Sequence, residues 1–116
     1  MQKIQNIFFR YAAYDSSGTK IIEDLMTIDF SDSNHLTENW GFSALTQTHS
    51  VGSQVGTGQL IGSVQNKEIH LNLTPNFNDN NVMLIGSLTN RKIIGKWMWI
   101  TFIGVSNQSA FEAIKI

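Results

Sequence analysis

Three tryptophans carry the most pointed chemistry in this chain. Trp97 and Trp99 stand two residues apart, a spacing that places both on one face of a β-strand. Side-by-side indoles form a wall on which a flat or apolar ligand can stack. Phe111 on the following segment extends that wall, and Trp40 joins it if its own strand turns the same way. Core packing competes with this account and is the commoner fate of such residues. The expected ligand-binding set is therefore Trp97, Trp99, Phe111 and Trp40, with no catalytic residue and no metal ligand among them.

Other reactive side chains form no recognised arrangement. His35, His49 and His70 share no ligand spacing with one another or with an acid, so no metal centre is expected. Asp79 among Asn76, Asn78, Asn80 and Asn81 offers oxygen ligands, but the central glycine and closing glutamate of a calcium loop are missing. A plain turn is expected there. Glu23 and Asp24 are sequence neighbours, so a strand sends them to opposite faces and gives no acid–base pair. No Gly-x-Ser-x-Gly elbow occurs. The glycine-rich run Gly52 to Gly58 lacks a phosphate-loop ending and leads into a strand. No cofactor is expected. The chain has no cysteine, which removes disulfides, thiolate nucleophiles and cysteine zinc sites together.

The elements that must position these residues follow from composition and period. The 116 residues fit a single domain spanning 1–116. Charged residues make up 15 %, against roughly 25 % in ordinary domains. Neutral Ser, Thr, Asn and Gln fill the wet faces of strands, so this deficit suits a β protein. Net charge is −1 and the only basic cluster is Arg91-Lys92 with Lys96. That leaves no footprint for nucleic acid or for an anionic membrane. The apolar run Ile7-Phe8-Phe9 is too short for a signal peptide, and none approaches a membrane span. A cytoplasmic location is expected.

Ile69, Leu71 and Leu73 alternate with His70 and Asn72, the period of a half-buried strand. The same reading gives strands at 4–13, 20–30, 40–49, 57–65, 68–74, 82–88, 91–103 and 108–116. Short polar turns separate them, although 19–26 also fits a helical stripe. About eight strands with sequential turns form a meander, and closure removes the exposed edges. The expected fold class is an all-β, antiparallel up-and-down barrel. Ile94, Met98, Ile100 and Phe102 make the second face of the tryptophan strand apolar as well. Val82 to Ile85 also breaks the alternation. With Lys96 the exception, two adjacent strands apolar on both faces predict an outer patch that needs covering. A homo-oligomer formed through 82–103 is expected, the alternative cover being the loop 31–38 or a terminus.

Gly86-Ser87-Leu88, Gly95-Lys96-Trp97 and Ala110-Phe111-Glu112-Ala113 resemble the glycine-and-aromatic hairpins that close avidin-like and lipocalin-like barrels. The resemblance covers residues 57–116. It lacks the first-strand Gly-x-Trp of the biotin binders, so biotin itself is not implied. It implies a barrel with a cavity. The leading functional expectation is a small-molecule binding barrel holding a hydrophobic or flat ligand. The alternatives are an isomerase- or cyclase-like enzyme, drawing on His70 or His49 with a carboxylate of the second strand, and a ligand-free assembly module.

Overall fold

The computed structural model describes residues 6–45, 54–75 and 80–116. Eight antiparallel strands follow in chain order: β1 Asn6–Tyr14, β2 Lys20–Asp29, β3 Leu36–Ala44, β4 Gly56–Gln65, β5 Glu68–Asn72, β6 Asn80–Leu88, β7 Lys92–Thr101 and β8 Gly104–Lys115. Each pairs with the next, and β8 returns to β1 from Phe9↔Lys115 to Ala13↔Phe111, closing the barrel. The segment 20–29 is strand, not helix.

Alternation explains the closure. Phe9, Tyr11 and Ala13 on β1 point inward and are buried, as are Ile69 and Leu71 on β5 and Ile93 and Trp97 on β7. The turns use local chemistry. Asp15 Oδ1 accepts bonds from Ser17 N (2.9 Å) and Thr19 N (3.0 Å), and Gly18 takes φ +87° to complete the β1–β2 loop. Asn66 and Lys67 both adopt positive φ, which gives the two-residue turn whose twist matches β4 and β5.

Several boundaries shift by a residue or two, and two strands start well before the sequence expectation. β3 starts at Leu36 rather than at position 40, because Leu36 is fully buried and anchors the strand before its polar stretch. β8 starts at Gly104, not 108. The turn is the apolar pair Phe102-Ile103, and Gly104 leaves it with φ +112°. A register shift beside Trp99/Ile100 then bulges β8 near Ser106.

A further difference concerns orientation. Asp24 occupies an inward register position, between Tyr11 and Phe42. Its φ of 148° turns the carboxylate outward instead, where Oδ2 accepts a bond from exposed Ser43 Oγ at 2.9 Å. Glu23 and Asp24 therefore do not face opposite sides as simple alternation requires. The vacated inner slot lets Tyr11 and Phe42 stack with centroids 4.0 Å apart, although a whole strand separates them.

Candidate functional site

The four aromatic residues nominated from sequence lie on inward-facing positions, and they divide by depth. Trp97, Phe111 and Trp40 are buried within one continuous core, while Trp99 packs against that core and is half-buried. Tyr11 links them, stacking on Phe42 and lying 5.6 Å from Phe111, while Trp40 lies 5.0 Å from Phe42. Barrels of eight strands are just wide enough to be filled by side chains or to hold one small ligand. Here rings of β1, β3, β7 and β8 occupy the lumen.

The indole nitrogens are already employed. Trp97 Nε1 donates to Tyr14 O at 3.0 Å, Trp40 Nε1 to Leu73 O at 2.8 Å and Trp99 Nε1 to Asn80 Oδ1 at 2.7 Å. All three acceptors belong to the end of the barrel that carries the 14–20, 45–55 and 73–80 connections. The indoles thus tie strands to loops at one mouth. Only Trp99 keeps part of its ring accessible there.

Sequence reasoning missed a polar pair at that same mouth. Gln54 is fully buried, and its Oε1 accepts a short hydrogen bond from the Tyr11 hydroxyl. Its Nε2 is buried with no partner among the described residues. Burial pushes the Tyr11 hydroxyl well above its ordinary pKa, so it stays a neutral donor at physiological pH. Thr74, the other buried polar residue described, is fully employed: its Oγ1 receives Val82 N at 3.0 Å and donates to Asn80 O. A glutamine inside a glycine-rich loop gives no sequence signal that it will plug a barrel.

An unpaired buried amide is costly, which makes the pair testable. Tyr11→Phe should cost about 1–3 kcal/mol, because it leaves the whole Gln54 amide unsatisfied. The double variant Tyr11→Phe/Gln54→Leu should return to within about 1 kcal/mol of the parent or exceed it. Urea unfolding of the three proteins measures this coupling. Additive losses would mean that the two residues do not act as a pair.

The titratable groups disperse over the outside. His70 faces outward on β5, with Nε2 3.2 Å from Glu68 Oε1. β5 neighbours β4 and β6, so His70 is not brought to a carboxylate of β2. Glu23 lies 3.7 Å from Lys20 across an exposed pair. Tyr14 donates to Glu112 Oε1 at 2.8 Å on the β1–β8 seam, and that bond raises the tyrosine pKa. Among the described residues no three His, Asp or Glu side chains gather around a cation position. His49, the first residues of the Gly52–Gly58 run and the asparagine-rich loop over 76–79 lie outside the described residues.

Two wide grooves run over the outer face. One, of about 620 Å³, crosses β5–β8 and is lined by Glu68, Ile85, Ile94, Lys96, Met98 and Gln108. The other, of about 970 Å³, crosses β2–β4 around Gly41. Among the described residues no helix is long and apolar enough to cross a membrane. The chain matches no protein-family model, no curated protein and no solved structure.

Proposed function

We propose that this protein is an interaction module that works from its outer face, and that its partner is a second copy of the same chain. One observation carries this reading: an apolar strip, interrupted by Lys96, on the outside of β6 and β7 that reaches β8 at Val105. Met83 pairs with Met98, Ile85 with Lys96 and Ile100 with Val105, all on the outward side, and Ile94 extends the row. The row runs on into the hairpin tip, where Phe102 is 83 % and Ile103 80 % exposed. Scattered surface hydrophobes need no explanation, but a strip ending in two bare side chains does.

The strip is suited to its own copy. Its groove carries Lys96 beside Ile85 and Ile94, and Glu68 at its edge. An isologous dimer places the same groove on both copies, so a lysine and a glutamate are present on each side to complement each other. The loop 31–35 does not cover the strip, since Val64 N of β4 binds Ser33 O at 2.9 Å and holds that loop against β4.

Light scattering across a dilution series tests the reading. The parent protein is expected at twice the 13.0 kDa chain mass. Ile94→Glu places a carboxylate on the strip, at a position 47 % exposed, and should give a folded monomer. Ile61→Glu, on the outer face of β4, should leave the dimer intact. A parent protein that is monomeric throughout, or an Ile94→Glu variant that remains dimeric, would contradict the proposal.

A second reading, a small-ligand barrel of avidin-like or lipocalin-like type, is favoured by the unpartnered Gln54 Nε2. That donor, on the amide held by the Tyr11 hydroxyl, suits an apolar molecule bearing one carbonyl or carboxylate acceptor. Such a ligand must displace part of the aromatic stack, so binding would change the tryptophan emission.

A further inference from the structure

The outer groove over β2–β4 holds two features that the fold does not require. The first is Gly41, at its centre. Glycine inside a strand is unfavourable unless something approaches closely. At Gly62 and Gly95 that something is the neighbouring backbone: a Cβ would meet His70 O at 2.1 Å and Ile85 O at 1.9 Å. At Gly41 a Cβ would meet only Thr57 Cγ2, at an ordinary 3.5 Å. A side chain fits there, yet none is present, and the floor of the groove stays open.

The second is Asp24. Its φ of 148° belongs to a region that side chains avoid. Glycine would free the inner slot for the Tyr11–Phe42 stack without that strain. The carboxylate is therefore to be explained by what it meets outside. Only Oδ2 is engaged, by Ser43; Oδ1 projects with no partner among the described residues.

Around these two the groove surface is mainly apolar and almost uncharged, with polar side chains at a few fixed positions. Asn39 and Gln59 sit opposite each other across β3 and β4, and neither side-chain amide has a partner among the described residues. Leu25 and Phe8, 46 % and 55 % exposed, supply an apolar rim. Asp24 is the one charged residue lining the groove, so a phosphate or sulfate would find no cation there.

We propose that the β2–β4 groove binds a neutral polyhydroxylated ligand of the oligosaccharide class. Asp24 accepts bonds from its hydroxyls, Asn39 and Gln59 both donate and accept, and the C–H face of a sugar ring lies over Gly41 against Leu25. The site lies away from the self-association strip and does not depend on it.

Chemical-shift mapping of the ¹⁵N-labelled protein with millimolar cellotetraose and, separately, maltotetraose tests this. At least one is expected to move the side-chain amide signals of Asn39 and Gln59 together with backbone amides of β2–β4. Gly41→Val should abolish those shifts while leaving the melting temperature unchanged or raised. Asp24→Asn should weaken binding about tenfold or more, the usual effect of losing a hydrogen bond to a charged group, and it serves alone if the valine variant does not fold. Unmoved signals with both oligosaccharides, shifts confined to another face, or parent-like binding by the folded variants would overturn the proposal.

Discussion

Gly95→Ala is expected to be the most damaging single-methyl change in the protein, costing more than about 3 kcal/mol or preventing folding. Overpacking a core usually costs about 1–3 kcal/mol, because side chains and rotamers absorb it. At Gly95 the added carbon would lie 1.9 Å from Ile85 O and 2.5 Å from Gly86 Cα. Both are backbone atoms of the paired strand β6, and neither can swing aside. Gly86 pairs directly with Gly95 and is itself crowded by Ile94 O at 2.6 Å, so two bare positions face each other where β6 and β7 press together. Gly41→Ala is the matched control, since its methyl group meets only ordinary contact. It should be neutral or stabilise by about 0.5–1 kcal/mol through lost chain entropy. Thermal and urea unfolding of the two variants would separate them. Equal effects would mean that the β6–β7 approach is looser than described.

Trp97→Ala should cost about 3–5 kcal/mol, the usual loss for removing a large core side chain. The ring is 1 % exposed, and its N–H holds Tyr14 O. The variant therefore leaves a cavity and frees a backbone acceptor at the β1–β2 loop. Trp97→Phe keeps much of the volume and loses only the bond, so its cost should be markedly smaller. Denaturant midpoints of both, at unchanged slope, give the comparison. Near-native stability for Trp97→Ala would mean that the ring lines open space, which would undo the account of a filled lumen.

The barrel was legible because most of its inward residues alternate along the strands and its turns carry their own chemistry. Ile69, Leu71 and Leu73 identify β5, and Asn66-Lys67 identifies the turn before it. The β7–β8 turn was misplaced because its signals are inverted. Phe102-Ile103 look like strand but form the turn, whereas Gly104-Val105-Ser106-Asn107 look like turn but pair with β7. An apolar turn is poor local chemistry, and its exposed side chains belong to the surface that the proposed self-association would cover. Asp24 was unreadable for a different reason. Period fixes the face of a residue only while φ is ordinary, and no pattern announces a carboxylate twisted out of its register position. The inward setting of Trp97 and Trp99 was legible from spacing, but their depth was not. It depends on how far Tyr11, Phe42 and Phe111 reach across the lumen from three other strands. Gln54 lay beyond reach altogether, since loop composition says nothing about a side chain folding back inside.

Native mass spectrometry of freshly purified protein tests the central claim most directly, because one spectrum reports both the assembly and any retained small molecule. A filled barrel that works from its outer face predicts a dimer of bare chains. A monomer carrying additional mass in its lumen would contradict it, and would transfer the function to Gln54, Tyr11 and Trp99 at the barrel mouth.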